Sequence, residues 1–204
     1  YGATPAPTDT VVFSFTGASS SAVVTTLDGS YTLDGLQFVS GDGSVSSVTV
    51  AANGSGNILT LAPTSTSGGI YVGPSAGAAL ISSAVVASGA NVASQTWNVD
   101  GPGANGSSLS ISGAVTFNAS VTKAGAGVLT LSGNNTGSGS FNLAAGTLNL
   151  NSATALGQGA FTLSPGVTID NTSGALVALT ANNPMTWNNF TFYGTSSLDL
   201  GAGA

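Results

Sequence analysis

Seven aspartates and one lysine are the only charged side chains in this 204-residue chain, which has no Glu, Arg, His or Cys. Nucleophilic catalysis of the Ser–His or Cys–His kind has no base here, and thiol chemistry has no thiol. What remains is a pair of carboxylates, the apparatus of glycoside hydrolysis. Asp28, Asp34 and Asp42 come nearest to a cluster. Each precedes glycine, as Asp100 does, and an Asp-Gly pair between alternating runs reads as a tight turn with positive φ. Gly41-Asp42-Gly43-Ser44 and Asp100-Gly101-Pro102-Gly103 offer ligand-like oxygens without the dense aspartate spacing of a calcium loop. The expectation is therefore no catalytic residue, no metal site and no cofactor. Lys123 reads as an exposed turn residue. Trp97 and Trp187 lie inside alternating runs and read as core, whereas a solvent-facing Trp would be a sugar platform. Six Asn-x-Ser/Thr sequons (Asn53, Asn105, Asn118, Asn134, Asn171, Asn189) are what a chain this rich in Asn, Ser and Thr produces by chance.

The charge balance narrows the partners. Charged residues are 4% of the chain, against about 25% in ordinary domains. A net charge of −6 with a single base gives phosphate nothing to bind, so nucleic acid and anionic membrane surfaces are excluded as partners. The scarcity of charge does not imply disorder, because 42% of residues are hydrophobic and they alternate. Residues 1–9, with Pro5 and Pro7, read as an extended arm or linker without signal-peptide character. The chain therefore reads as mature, processed or cut from something longer. Gly68 to Ala93 is uncharged but broken by glycine, serine and Pro74, and reads as buried strands rather than a membrane-spanning helix.

The elements that position these residues repeat. Leu129-Thr130-Leu131-Ser132 recurs as Leu148-Asn149-Leu150-Asn151, and again as Val167-Thr168-Ile169-Asp170. Leu109-Ser110-Ile111-Ser112 lies one such step before. Each block alternates apolar and polar, the signature of a strand with one buried face. Val121, Phe141 and Phe161 form a second series in step with the first. Gly127, Gly146 and Gly166 precede the repeat strands and suggest a corner. A period near 20 without helical pattern predicts a β-solenoid: all-β, a single-stranded right-handed parallel β-helix with rungs of about 19–20 residues. The spacing predicts an interior column of Leu109, Leu129, Leu148 and Val167. It also predicts a polar ladder at one corner from Ser132, Asn151, Asp170 and Asn189. At this period residues 10–204 form one domain of ~9–10 rungs, a rod of roughly 45 Å.

Residues 120–163 resemble the autotransporter-associated β-strand repeat family, also called the passenger-associated transport repeat. The resemblance is carried by Thr122-Lys-Ala-Gly-Ala-Gly-Val-Leu-Thr-Leu-Ser-Gly-Asn-Asn-Thr136, Ala145-Gly-Thr-Leu-Asn-Leu150 and Ala155-Leu-Gly-Gln-Gly159. Gly137-Ser-Gly139 departs from the family's usual Tyr-Thr-Gly-Gly, and no C-terminal membrane β-barrel is evident. The resemblance implies a parallel β-helix exposed outside a bacterial cell.

The expectation from sequence is a non-enzymatic, extracellular structural segment of a bacterial surface fibre, filament or adhesin stalk. Its expected partners are further copies joined head to tail or further rungs of a longer chain, with a surface glycan as a third. The alternative is a carbohydrate-binding or carbohydrate-cleaving β-helix that uses Asp and aromatic residues on an outer face. A groove holding two or more Asp with a Trp or Tyr would favour the alternative. A smooth face of Thr, Ser and Asn would favour the scaffold.

Overall fold

The computed structural model describes residues 4–15, 22–40, 47–54, 56–101 and 107–203. Every regular element in them is a strand, and every strand pairing is parallel. Alternation of apolar and polar residues gives each strand one buried face, and no single turn of chain can cover that face alone. Coiling solves this by laying each turn on the one before. The fold is a parallel β-helix.

Among the described residues eight rungs are stacked. The first face is an eight-stranded sheet: Thr10–Phe15, Gly35–Ser40, Gly69–Val72, Ser94–Val99, Ser120–Ala124, Phe141–Leu143, Phe161–Leu163 and Met185–Trp187. The second face is another eight strands, from Ala22–Leu27 through Val128–Leu131 and Thr147–Leu150 to Thr191–Phe192. A third face exists only in rungs 1–4, as Tyr31–Leu33, Ile58–Leu61, Ala84–Ala87 and Val115–Phe117. After that it contracts to a bridge between Thr116 and Thr136. In rungs 7 and 8 a short pair, Val177–Ala178 with Leu198–Asp199, takes its place.

Longer connections in the early rungs explain why the short, regular period is clear only from Leu109 onward. Val121 pairs with Phe141 and Phe141 with Phe161, so each rung there advances the chain by about 20 residues. Leu36 pairs with Ile70, a far longer step, because that rung carries three strands and longer turns. Longer early rungs make the count eight rather than nine or ten, and seven strand spacings give a rod of about 34 Å. Residues 4–9 are not an extended arm. Asp9 N–H donates to the Ala6 carbonyl, and the Asp9 carbonyl accepts from Asp34 N–H, docking the segment on rung 2.

Stacked, mostly apolar columns fill the interior. Leu109, Leu129 and Leu148 are directly in register and wholly buried. The column continues at Ile169, not Val167, and ends at exposed Phe192. The expected step fails there because both connections lengthen by one residue. Leu143 to Thr147 takes four steps where Leu163 to Thr168 takes five, and Leu131 to Phe141 takes ten where Leu150 to Phe161 takes eleven. Val167 is still buried, one alternation earlier. A file of aromatic rings, Trp97–Phe117–Phe141–Phe161, runs along the axis at centroid separations of 6.0, 6.0 and 6.2 Å. Each such ring contributes on the order of 1.5–3 kcal/mol by burial, plus an edge or tilt interaction with its neighbour.

Candidate functional site

The same two-residue slip breaks the expected polar ladder between Asn151 and Asp170, whereas Ser132 stays in register with Asn151. Asp170 lies opposite Asn149, and its carboxylate accepts from Thr195 N–H at 2.9 Å and Thr195 Oγ1 at 2.5 Å. These bonds, together with one from Asn171 N–H, hold its pKa below the ordinary carboxylate value despite desolvation, which acts the other way. Asn151 bonds Thr172 instead, through Nδ2 to Oγ1 at 2.9 Å and from Thr172 N–H to Oδ1 at 2.9 Å. Ser132 and Asn189 are exposed and bond to neighbouring rungs through their backbones. The rungs are instead tied by buried asparagines. Asn135 accepts from Val115 N–H at 2.8 Å and donates to the Ala155 carbonyl at 2.7 Å. Asn183 donates to the Gly157 and Gly159 carbonyls. Asn171, one of the sequon residues, is buried and donates to the Ala175 and Ser197 carbonyls, so its amide is not available to a glycan.

Lys123 is buried rather than exposed. It occupies an inward column between Trp97 below and Leu143 above. Strand alternation puts it there: Val121 and Lys123 point inward, Ser120, Thr122 and Ala124 outward. Its Nζ donates to the carbonyls of Ala124 at 2.8 Å, Gly125 at 2.7 Å and Ala145 at 3.2 Å. Burial lowers its pKa to about 8, with the negative charge of Asp100 acting in the opposite direction. The reversal follows from the register, which a lone lysine beside a Gly-rich turn does not reveal.

The described Asp-Gly pairs also differ from expectation. Gly29, Gly35 and Gly101 do not have positive φ, and Asp42-Gly43 lies outside the described residues. The aspartates act as acceptors between elements. Asp28 Oδ1 accepts from Tyr31 Oη. Asp34 Oδ1 accepts from both N–H and Oγ1 of Thr64 at 2.7 Å. Asp100 accepts from Tyr71 Oη at 2.8 Å and Asn98 Nδ2 at 2.9 Å. The Thr64 bonds hold Asp34 below the ordinary carboxylate value, so it stays ionised and is unsuited to general-acid work. Among the described residues no three Asp gather as a metal site.

A trough of about 420 Å³ lies on the outside of the first face, across rungs 1–4. Its floor is where the outward column reads Thr10, Gly35, Gly69, Thr96: two successive rungs present no side chain. One wall is the parallel outward column Gln37, Tyr71, Asn98. The other is the Ser65–Gly68 turn with Asp34. That turn is held by Asp34 at Thr64, by Thr96 Oγ1 donating to the Thr66 carbonyl at 2.9 Å, and by Thr96 N–H donating to the Gly68 carbonyl at 3.0 Å. Gly69 is required by its backbone, with φ +132 and a Cβ position 2.6 Å from the Thr96 carbonyl oxygen. The sequence signal for the trough is a glycine at an outward strand position, legible only once register is known.

Beyond rung 4 the same face changes character. Thr96, Thr122, Asn142, Thr162 and Thr186 form one continuous outward column of short polar side chains. The smooth face expected of a scaffold and the groove expected of a binding module thus share one sheet. The groove has one Asp in its wall, with Asp100 behind Tyr71 as a second. Trp97 is core, with Nε1 donating to Gln95 Oε1 at 3.0 Å. Trp187 is 58% exposed, contrary to the core reading. It stands on buried Leu163 and points inward like it, but no further described rung covers it. It packs edge-on against Phe190 at 5.8 Å.

Residues 121–150, which span rungs 5 and 6, match the passenger-associated-transport-repeat family. No curated protein and no solved structure matches the chain.

Proposed function

We propose that this chain is a non-enzymatic structural segment of an exported bacterial passenger region, standing at the cell surface as a β-helical stalk. The observation that carries this reading is the passenger-associated transport repeat at residues 121–150, which forms two rungs in unbroken register with those on either side. Residues 10–204 are one domain on this reading. Stacked rungs with buried Asn bridges suit a part that must hold an extended shape.

The ends of the stack take further rungs, either of the same polypeptide or of a second copy joined head to tail. Two features support this. The inward residues of rung 8, Met185, Trp187 and Phe192, lie over buried Phe161, Leu163 and Ile169 with little above them. At the other end Val11, Phe13, Leu27, Tyr31 and Leu59 surround an apolar hollow of about 280 Å³.

Antibody against the folded chain should label intact cells of the source organism without permeabilisation. Labelling that requires permeabilised cells would overturn the surface assignment.

A further inference from the structure

The trough over rungs 1–4 is not needed to build the stack. The smooth column beyond Thr96 shows the same face closing without one. Four adjacent strands at the usual spacing make the trough about 14 Å long. Its volume of about 420 Å³ lies within the range of ligand sites.

The groups facing it define the ligand's chemistry. Gln37 and Asn98 offer amides, Thr10 and Ser67 offer hydroxyls, Asp34 offers a carboxylate and Tyr71 an aromatic ring. Alternating donors and acceptors beside one ring suit a molecule dense in hydroxyls with an apolar C–H face. No cation faces the trough, because Lys123 is the only base and is buried in the core. With a net charge of −6, phosphates, sulfates and carboxylates are disfavoured. A peptide adding as a strand needs an open sheet edge, whereas the trough-floor strands Gly35–Ser40 and Gly69–Val72 are paired on both sides.

The wall is held in place before any ligand arrives. Tyr71 Oη and Asn98 Nδ2 are both fixed by Asp100, and the Ser65–Gly68 turn is anchored at Thr64, Thr66 and Gly68. Little side-chain freedom remains to be lost on binding, which favours affinity. The Gln37 amide is the exception: it has no hydrogen-bond partner among the described residues, so its donors and acceptor are free for a ligand.

We infer that the outer trough bounded by Gln37, Tyr71 and Asn98 on one side and by Asp34 and the Ser65–Gly68 turn on the other binds a neutral oligosaccharide. The sugar lies along the stack, with one ring against Tyr71 and its hydroxyls on Gln37 and Asn98. This is binding without cleavage, since the one carboxylate in the wall is committed to Thr64. The inference does not depend on where the protein is displayed.

The test is saturation-transfer NMR and titration calorimetry on the full chain. The probes are cellohexaose, maltohexaose and mannohexaose, with hexagalacturonate as the charged counterpart. At least one neutral hexasaccharide should bind with a dissociation constant near or below about 1 mM, and hexagalacturonate should not. Tyr71→Ala should abolish transfer, Tyr71→Phe should keep it, and Gln37→Ala should weaken binding about two- to tenfold. Circular dichroism of each variant checks the fold. Tyr71→Phe and Gln37→Ala keep the test decisive if Tyr71→Ala unfolds. No binding of any neutral probe, preference for hexagalacturonate, or affinity unchanged in Gln37→Ala and Tyr71→Ala would each overturn the inference.

Discussion

Lys123 holds a charge inside a column whose other members are Trp97 and Leu143, and three main-chain carbonyls take the place of its water. Such a group links stability to pH. Its folded pKa of about 8 lies below the ordinary lysine value of 10.5. Between those values the unfolded chain holds more protons than the folded one, so stability rises with pH across that window. From about pH 7.5 to about 9.5 the gain from this group is on the order of 2 kcal/mol, or several degrees in melting temperature. Tyr31 and Tyr71 are pushed above the ordinary tyrosine value of 10.0, chiefly by hydrogen bonds to Asp28 and Asp100, so they reduce stability only at higher pH. Thermal melts over this range should show the rise in the wild type and a flat response in Lys123→Met. Equal slopes in the two would assign the titration to another group. The sequence makes Lys123 conspicuous as the only base, but its inward position follows from alternation along Ser120–Ala124, and one residue of slip would reverse it.

Strands and turns divide the legibility of this fold between them. The strands from Leu109 to Ile169 are readable because apolar and polar residues alternate with few exceptions. The turns are not, because a turn that gains one residue looks the same as one that does not; hence Val167 for Ile169, and a polar ladder that breaks after Asn151. The third face was hidden for the same reason, since the longer connections of the early rungs break the regular period. Two pairs of substitutions test this placement. Leu148→Asp puts an unpaired carboxylate between Leu129 and Ile169 and should cost several kcal/mol. Asn149→Thr, facing outward beside Thr130, should cost less than about 1 kcal/mol. Threonine is the better outward control than aspartate, because Asn149 lies opposite Asp170 and a second carboxylate there would add repulsion. Urea midpoints that shift equally for both would reject the inward assignment. At the corner, Gly146 and Gly166 share a positive φ, +75 and +80, but only Gly146 has neighbours where a Cβ would go. Those neighbours are the Gly125 and Gly127 carbonyl oxygens, both at 2.5 Å. Gly166→Ala should therefore cost about 1 kcal/mol from backbone strain alone, and Gly146→Ala distinctly more. A smaller loss at Gly146 than at Gly166 would mean the corner stack is looser than its backbone contacts require.

Over the whole molecule, strand pairing joins each rung to the ones directly above and below, with the Phe117–Phe141 ring contact reaching one rung further, so stability is close to a sum of nearest-neighbour terms rather than a property of one centre. The terms are not equal along the axis. Rungs 4–7 contain the file of rings from Trp97 to Phe161, the Leu109–Leu129–Leu148–Ile169 column and the buried Asn135 and Asn183 bridges. Among the described residues rung 1 pairs on one side only, and its inward residues Val11 and Phe13 border a hollow. Rung 8 likewise pairs on one side among the described residues, and Trp187 and Phe192 are exposed. Opening an end rung loses one interface, whereas opening a middle rung loses two, so the chain should fray inward from both ends before it unfolds as a unit. Native-state hydrogen exchange should follow that order. Amides of Leu129, Leu131, Leu148 and Leu150 should exchange slowest, near the limit set by global unfolding. Amides of Val11, Phe13, Thr186 and Thr191 should exchange fastest among the strand residues. If the end rungs are covered by a second copy, raising protein concentration should slow the fast set and leave the slow set unchanged, because association protects only what it covers. Equal protection of Val11, Leu148 and Thr191 in dilute solution would contradict the nearest-neighbour account. It would require interactions along the axis that span many rungs.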